Sequence, residues 1–281
     1  MIQDILPRKY NNTYNETPVQ ENSNIMLFRD KMVLVKKEGN KLVYPGYFQV
    51  KEQLKGVRYL FAIDEETYFL GDGADFMEMP EGFSWEEINI FRDAQYGYQA
   101  FAGITAHQLY GWYRDHRICS RCGSPLEHSH TERMLYCKEC NHMIYPQICP
   151  AVIVAISDGD KLLLTKYAAG NYKRYALVAG FTEIGETIEE TVHREVMEEV
   201  GLKVKNLRFY KSQPWSFSGT LLFGFFVEVD GSTAIKMDEQ ELSVAEWVDR
   251  KDVPHGDAEI SLTREMMTVF YEGGFGTKQE R

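Results

Sequence analysis

The stretch from Gly180 to Leu202 constrains the fold more than any other part of the 281-residue chain. It begins as a glycine-bearing loop and continues as a helix that ends at Gly201, because glycine readily takes the left-handed conformation found at helix ends. Aliphatic residues recur at every fourth position of this helix: Ile188, Val192, Val196 and Val200. Such a stripe can dock a helix on a core. The sequence therefore predicts a docked amphipathic helix at about residues 187–200.

The same helix carries three carboxylates on one face. Glu195, Glu198 and Glu199 stand at positions i, i+3 and i+4, a spacing at which like charges repel each other. A positive group should compensate for this repulsion, and carboxylate oxygens suit Mg²⁺ or Mn²⁺. These ions neutralise substrate phosphates and activate water. Three glutamates alone would more often be a solvated helix face, so the surrounding residues decide the interpretation.

Those surrounding residues resemble the box of the Nudix hydrolase family, G-x5-E-x7-R-E-U-x-E-E-x-G-U, in which U is aliphatic. All specified positions match: Gly180, Glu186, Arg194, Glu195, Val196, Glu198, Glu199, Gly201 and Leu202. The resemblance implies the Nudix α/β/α sandwich. It also implies a structural pair between Glu186 and Arg194, although Arg194 can equally steer Glu195.

The resemblance further implies a catalytic metal centre. Glu195, Glu198 and Glu199 are its expected catalytic residues and ligands for Mg²⁺ or Mn²⁺, and the main-chain carbonyl of Ala179 is expected to add a ligand. Glu241 aligns with a late metal-binding glutamate of the family. The alternative for Glu241 is an ordinary charge on a surface loop.

A second resemblance lies downstream, in the sequence SQPWSFSGT of residues 212–220. It is similar to the S-Q-P-W-P-F-P-x-S signature of the NADH pyrophosphatase family, with Ser216 and Ser218 replacing prolines and loosening the loop. The resemblance implies that most of this segment contacts the substrate: Gln213, Pro214, Trp215, Ser216, Phe217, Ser218, Gly219 and Thr220. Trp215 and Phe217 offer faces for stacking on an adenine or nicotinamide ring, and Gln213 can read a ring edge. The alternative is a packed corner before a strand.

Three more substrate-binding residues are expected by resemblance. Tyr145 with Pro146 is similar to the Y-P-R segment of the family, although Gln147 replaces the arginine. Phe181 follows Gly180 where the family stacks a base. The chain near Thr263 is expected to contact the substrate through its backbone.

Four of the five cysteines form two close pairs, Cys119-x2-Cys122 and Cys137-x2-Cys140. This spacing is typical of a zinc ribbon, in which two tight turns present four sulfur atoms to one tetrahedral Zn²⁺. Four cysteines complete a structural site and leave no position open for catalysis. The same ribbon precedes the Nudix domain in the NADH pyrophosphatase family, so the resemblance covers most of the chain.

Nearby residues leave other options for this site. His128, His130 and His142 are alternative zinc ligands close to the cysteine pairs. Cys149 precedes a proline in an apolar run, and we interpret it as a buried small hydrophobe rather than a nucleophile.

The pattern of strands, turns and helices predicts an α+β protein with three parts. Residues 1–117 are a small β-rich N-terminal domain with a following helical segment, 118–145 the zinc ribbon, and 146–281 the Nudix domain. The helical segment is expected from Ser84, because Ser84 and Glu87 have capping-box spacing. Further on, apolar runs on both sides of residues 158–160 predict a hairpin. Strands and helices mixed in this way indicate an α+β sandwich and not a doubly wound sheet.

Charge and hydropathy limit the expected partners. Acidic residues outnumber basic ones by 42 to 31, and the net charge of −11 argues against tight binding to a nucleic-acid backbone. An anionic substrate therefore needs local metal. No stretch approaches the roughly 20 apolar residues of a bilayer helix, and no secretion signal is visible. We expect no membrane association and a cytoplasmic protein.

These features together predict the metal-dependent hydrolysis of NADH to reduced nicotinamide mononucleotide and AMP, with Glu198 or Glu199 as the base. NAD⁺ and the NAD cap of RNA contain the same linkage. One alternative is an ADP-ribose pyrophosphatase of the Nudix family, which the 212–220 segment and the ribbon disfavour. Another is a non-catalytic Nudix-fold regulator that binds nucleic acid, although such proteins typically lose box glutamates. The family resemblance also implies a homodimer.

Overall fold

The computed structural model describes residues 1–15, 17–73, 79–169, 174–256 and 260–274. The chain divides into two compact units, one formed by residues 2–147 and the other by Met1 with residues 148–281. In these described ranges, no helix is long and apolar enough to cross a membrane.

Short strands dominate the N-terminal unit. They are β1 (Tyr10–Asn11), β2 (Asn24–Met26), β3 (Phe28–Arg29), β4 (Met32–Glu38), β5 (Lys41–Val43), β6 (Gly56–Ile63), β7 (Glu66–Asp72), β8 (Ser84–Glu87), β9 (Glu127–His128), β10 (Leu135–Tyr136) and β11 (Met143–Ile144). The helices are α1 (Tyr47–Val50) and α2 (Gly97–Asp115). One sheet has the order β1-β6-β7-β2, another joins β3, β5 and β8 to β4, and the cysteine module contains β11-β10-β9.

The structure corrects the start of the predicted helical segment. Residues 84–87 form strand β8, which pairs antiparallel with β4, and α2 begins only at Gly97. The Ser84 hydroxyl donates to the Glu86 carboxylate at 2.9 Å and caps no helix. Trp85 packs against the buried core of this unit. Pairing with a buried strand therefore outweighs a local capping signal, because strand preference is set by the packing surroundings.

The C-terminal unit is built on one mixed six-stranded sheet of order β15-β16-β12-β13-β17, in which β14 also pairs with β12. Its strands are β12 (Cys149–Asp158), β13 (Lys161–Tyr167), β14 (Val178–Phe181), β15 (Val204–Trp215), β16 (Thr220–Val229) and β17 (Leu242–Asp249). Its helices are α3 (Ile188–Val200) and α4 (Leu262–Tyr271). The predicted hairpin around residues 158–160 is confirmed as β12 and β13.

The two helices cover opposite faces of this sheet. Along β12, Val152 and Val154 pack with the apolar stripe of α3, whereas Ile153 and Ala155 pack with Met266 and its neighbours on α4. Side chains alternate between the faces of a strand, so one buried strand can serve both helices. The predicted α/β/α sandwich is thus confirmed, and it places α3 beside the end of β14 that carries Gly180.

Candidate active site

Helix α3 has well-defined ends. Thr187 is the N-cap, and its hydroxyl accepts a hydrogen bond from the backbone N–H of Glu190, while the Glu190 carboxylate accepts from the backbone N–H of Thr187. Gly201 closes the helix with a φ of 66°. The capping box and Gly201 fix where the helix begins and ends. Its apolar face therefore lies on the sheet, and its glutamates lie beside β14.

Glu195 is held against the backbone of Gly180. A Cβ atom at position 180 would lie only 1.9 Å from Cδ of Glu195. The Glu195 side chain is buried, and this burial raises the pKa of its carboxyl group. Glycine is therefore required at position 180 because any side chain would occupy the space of the carboxylate.

Replacing Gly180 by alanine is expected to displace the Glu195 carboxylate while leaving the fold intact, since a side-chain terminus can move. We expect the affinity for Mn²⁺ and the turnover to fall roughly 10- to 100-fold, as happens when a metal ligand loses its support. Calorimetric titration with Mn²⁺ measures the first effect. Gly56→Ala is the matched control, because it adds a methyl group in a strand where nothing lies within 4 Å. Unchanged Mn²⁺ affinity in Gly180→Ala would contradict the role given to this contact.

Glu199 is the most deeply buried carboxylate of the site. The residue is 3% exposed, and its Oε1 atom accepts a hydrogen bond from the Ala179 N–H at 3.3 Å. Within the described part of the chain, its Oε2 atom is buried without a hydrogen-bond partner. Burial, together with the charges of Glu195 and Glu241, raises the pKa of Glu199 to about 8. A buried acceptor in this state is suited to a cation.

A turn near the end of α3 adds more negative charge. The Asp238 N–H donates to the backbone carbonyl of Glu199 at 2.9 Å, and the Glu241 N–H donates to the carbonyl of Asp238 at 3.3 Å. The charges of both residues contribute to the raised pKa of Glu199. The structure therefore brings Glu241 into the surroundings of the box glutamates. It also adds Asp238, which the sequence analysis missed although the acidic run of residues 238–241 was a usable signal.

Arg194 plays both of the roles that the sequence left open. Its guanidinium donates to both carboxylate oxygens of Glu186, at 2.6 and 2.9 Å, and to Glu195 at 2.7 Å and Glu198 at 2.9 Å. It also donates to the carbonyl of Phe181 at 2.8 Å. The hydrogen bonds that Glu186 accepts, above all those from Arg194, lower the pKa of its carboxyl group to about 2. Arg194 thus ties the loop after β14 to the glutamate face of α3.

The acidic cluster fits a divalent cation chemically, but its oxygens are not gathered into a closed cage. Among the described residues, the four cysteines are the group that brings at least three potential ligand atoms within 4.8 Å of one another, and the box glutamates do not form such a group. Their side chains instead surround Arg194 and Gly180. Mg²⁺ commonly uses few carboxylates and completes its shell with water and substrate phosphates, so an open arrangement of this kind suits it.

The four predicted zinc ligands do converge. The Sγ atoms of Cys119 and Cys140 are 3.6 Å apart, and those of Cys122 and Cys137 are 3.4 Å apart. Zn–S bonds of about 2.3 Å at tetrahedral angles place sulfur atoms about 3.8 Å apart, so the set matches one zinc ion. The three histidines considered as alternatives are not members of this group, although Nδ1 of His142 lies 3.6 Å from Sγ of Cys119.

The aromatic segment after β15 forms a compact turn. The rings of Trp215 and Phe217 are half-buried, with centroids 4.8 Å apart. The hydroxyl oxygens of Ser218 and Thr220 are 2.8 Å apart, and the Thr220 hydroxyl donates to the Trp215 carbonyl at 3.4 Å. We expected the serines at 216 and 218 to loosen this loop. At position 218 the hydroxyl contact supplies some of the restraint that a proline ring would have given.

Gln213 departs from its expected role. Its side chain is fully buried, its Nε2 donates to the Ile260 carbonyl at 2.8 Å, and its Oε1 accepts from the Leu262 N–H at 2.7 Å. The expectation that Gln213 reads a ring edge is therefore wrong for this structure, because both polar atoms of the amide are bonded to the backbone. The neighbouring Pro214 is exposed.

The aromatic segment and the glutamate face lie at the same end of the sheet. Ala151 of β12 pairs with Phe181 of β14 on one side and with Leu222 of β16 on the other. Neighbouring strands are about 4.8 Å apart, so these two outer strands are separated by roughly 10 Å. Trp215 lies on the next strand, β15, where it pairs with Thr220 at the same end of β16, so it is three strand spacings, roughly 14 Å, from β14. Phe181 is 54% exposed and flanks this end.

The remaining predicted positions lie on separate elements of the chain. Thr263 is half-buried in the first turn of α4, and Gly219 accepts a backbone hydrogen bond from Cys149 at 2.9 Å. Cys149 itself is half-buried at the start of β12 rather than fully buried as expected. Tyr145 belongs to the N-terminal unit, where it is 52% exposed and its hydroxyl donates to Glu132 at 3.4 Å.

Comparison with known families identifies both modules. Residues 148–267 match the family model of the NUDIX domain. Residues 114–145 match that of the NADH pyrophosphatase zinc ribbon domain. The chain contains a Nudix domain and an NADH pyrophosphatase zinc ribbon. The zinc ribbon is therefore the cysteine module of the N-terminal unit, and the Nudix domain is the α/β/α sandwich. Nudix hydrolases use Mg²⁺ or Mn²⁺, and the ribbon cysteines form a structural zinc site.

Similar proteins include the NAD-capped RNA hydrolase NudC of Salmonella paratyphi C (strain RKS4594) and that of Salmonella choleraesuis (strain SC-B67). Each is 45% identical over 147 residues, which are 52% of this chain and 57% of the relative. The chain thus spans little more than half the length of the curated relatives it matches. A solved NUDIX hydrolase from Nitrosomonas europaea is 20% identical with a TM-score of 0.48, covering 56% of this chain and 90% of that one.

Proposed function

We propose that the chain hydrolyses the pyrophosphate bond of NADH, releasing reduced nicotinamide mononucleotide and AMP. The observation that carries the proposal is the placement of two features at the same end of the sheet. The buried carboxylates of Glu195 and Glu199 lie beside Gly180 and Ala179 of β14, and Trp215 lies three strands away at the end of β15, in contact with Phe217. The first feature suits a charged pyrophosphate with its metal, and the second suits a flat ring.

The site residues divide into two groups in this proposal. Glu195 and Glu199, with Glu241 and the Ala179 carbonyl, would hold Mg²⁺ or Mn²⁺, which when bound neutralises the pyrophosphate and activates water. Water adds to one phosphorus atom, the bridging P–O bond breaks, and Glu198 or Glu199 accepts the proton of the attacking water. Arg194 holds Glu195 and Glu198 in place through its two short hydrogen bonds.

Substrate recognition is assigned to the aromatic positions. Trp215 and Phe217 form a half-buried pair, and Phe181 is an exposed ring on the strand next to the glutamates. Stacking on such rings contributes roughly 1 to 3 kcal/mol per base. Backbone groups of the Ser216–Thr220 turn and of Thr263 would complete the contacts. Tyr145 is kept as a proposed contact on the strength of the family resemblance alone.

The NAD cap of RNA is a second candidate substrate, because relatives at 45% identity are named NAD-capped RNA hydrolases. The cap contains the same pyrophosphate linkage as NADH. The net charge of −11 opposes tight binding of the RNA backbone, so the free dinucleotide remains the preferred substrate in this proposal. ADP-ribose and a regulatory, non-catalytic role are the weaker alternatives. Resemblance to the family also supports a homodimer in the cytoplasm, which light scattering and fractionation can test.

Product analysis tests the proposal directly. The purified chain is incubated with NADH, NAD⁺, ADP-ribose or NAD-capped RNA, each with Mg²⁺ and with Mn²⁺, and the products are separated by chromatography. We expect the highest kcat/KM with NADH and equal amounts of AMP and reduced nicotinamide mononucleotide. Faster cleavage of ADP-ribose would replace the proposed substrate, and no cleavage of any of the four would contradict hydrolysis itself.

Trp215→Ala is expected to raise KM for NADH roughly 5- to 150-fold, the range that corresponds to losing one stacked ring. The kcat on ADP-ribose should change far less, because the phosphates and the glutamates are untouched. Trp215→Phe is the matched control, since it keeps a flat face, and it should restore most of the affinity. An equal loss of kcat/KM on NADH and ADP-ribose would mean that Trp215 supports the fold or contacts the adenosine half that both substrates share. Unchanged kinetics would mean that Trp215 only packs at the corner before β16.

A further inference from the structure

Gln213 occupies an unusual place in the substrate segment. Its neighbours Ser212 and Pro214 are exposed, whereas its own side chain has no exposed surface. A buried primary amide must find hydrogen-bond partners for its donor and its acceptor, because leaving either unpaired is unfavourable. Gln213 therefore points away from solvent, while the residues on either side of it are exposed.

The partners of Gln213 are at the start of α4. Its Oε1 atom accepts from the N–H of Leu262, the first residue of the helix, and its Nε2 donates to the carbonyl of Ile260. Ser261 is the N-cap residue, but its side chain makes no capping hydrogen bond. The first N–H groups of a helix have no partner within the helix and need one from outside. Gln213 supplies that partner from the neighbouring strand.

This contact joins two regions that the proposed function assigns to the substrate. Gln213 lies two residues before Trp215 on β15, and Leu262 directly precedes Thr263 on α4. A second contact holds the same strand and helix together farther along, where the Tyr210 hydroxyl donates to the Glu265 carboxylate at 2.6 Å. The Tyr210 contact involves no residue of the substrate segment, so it offers an internal comparison.

We infer that Gln213 is a positioning residue: its buried amide fixes the first turn of α4 against the strand that carries Trp215, and so sets the spacing of the two sides of the dinucleotide site. This inference rests on the proposed function of the site. It assigns no contact with the substrate to Gln213 itself. Its loss should affect substrate binding through displacement of Thr263 and Trp215, while the glutamates of α3, on the opposite face of the sheet, keep their positions.

Gln213→Met tests the inference, since methionine has a similar length and removes both hydrogen bonds. We expect KM for NADH to rise roughly 3- to 10-fold, in proportion to the loss of one or two hydrogen bonds, with kcat within about twofold of the wild type. Hydrogen exchange at the Leu262 amide should become faster. Tyr210→Phe is the matched control: it weakens the same strand–helix contact, and its KM should equal that of the wild type.

The outcomes separate this inference from the proposed function. Hydrolysis of NADH by the wild-type protein tests the proposed function. Hydrogen exchange at the Leu262 amide tests the Gln213 contact and needs no substrate. An unchanged KM in Gln213→Met, even with a lower Tm, would reduce Gln213 to a structural role and overturn the inference. An equal rise of KM in Tyr210→Phe would also overturn it. If Gln213→Met does not fold, Gln213→Leu removes the same two hydrogen bonds and is measured in the same way, with the same expected split. Gln213→Glu keeps the acceptor for the Leu262 N–H, so exchange at Leu262 should stay near the wild-type rate, and faster exchange there would overturn the inference.

Discussion

Glu199→Gln is expected to lower the kcat of the proposed hydrolysis roughly 10²- to 10⁴-fold, with NADH and with NAD⁺ alike. The glutamine keeps the shape of the side chain and removes its charge. Losses of this size follow when a base or the activation of a water molecule is removed. The expectation rests on the placement of Glu199, a residue that is 3% exposed and close enough to Glu195 and Glu241 for their charges to raise the pKa of its carboxyl group.

The metal-free protein should fold as well with glutamine as with glutamate. In the absence of a cation, Glu199 is a buried carboxyl group next to other acidic side chains, and an amide relieves that repulsion. A thermal melt without metal is therefore expected to give an unchanged or slightly higher Tm. The added stability that Mn²⁺ gives the wild type should be smaller in the variant, because ligands stabilise the state they bind.

Steady-state kinetics with saturating Mg²⁺ or Mn²⁺ measure the effect. Glu189→Gln is the matched control, because Glu189 lies exposed in the first turn of the same helix and the substitution is the same. Glu198→Gln, measured beside them, assigns the base between the two candidate glutamates. Turnover near the wild-type rate in Glu199→Gln would remove Glu199 from the mechanism.

Cys122→Ser is expected to strip the ribbon of its zinc and to destabilise the N-terminal unit. Structural zinc sites contribute folding energy directly, and thiolate is the form of cysteine that binds the metal. Hydrogen bonds from Ser124 lower the pKa of the Cys122 thiol and favour this form. We expect about one Zn²⁺ per wild-type chain, a much smaller zinc content in the variant, and a Tm lower by roughly 5 to 15 °C.

Cys149→Ser is the control for this change, because Cys149 is the fifth cysteine and is not part of the sulfur cluster. Its zinc content should equal that of the wild type. The kcat of folded Cys122→Ser should stay close to the wild-type value at temperatures well below its Tm, since four cysteines leave no open coordination position for catalysis. Purified protein without zinc, with a disulfide between Cys119 and Cys140, would contradict the ribbon assignment.

The sequence by itself determined the elements whose signals are local. The apolar stripe and Gly201 predicted helix α3 at about residues 187–200, and the structure has it at Ile188–Val200. The paired cysteines predicted a four-sulfur cluster, which the structure confirms. In both cases short-range spacing contains the information, since a helix face and a metal-binding turn are each formed by residues close together in the chain.

Only the tertiary structure decided how distant segments meet. Ser84 and Glu87 have the spacing of a capping box, yet they lie in a strand because a buried partner strand was available. The proximity of Glu241 and Asp238 to Glu199 depends on a turn about 40 residues downstream in the chain. No local pattern encodes this relation: family resemblance predicted it for Glu241, and only the structure showed it for Asp238.

Gln213 shows the same limit for a predicted site residue. Its place in the signature suggested a contact with the substrate, whereas the fold turns it inward to the start of α4, which lies 49 residues farther along the chain. Polar side chains bond to whichever partners the fold brings near, and burial requires that those bonds be made. Residue type and spacing therefore predicted which segments form the site, and the packing of strand against helix decided which of their side chains can face it.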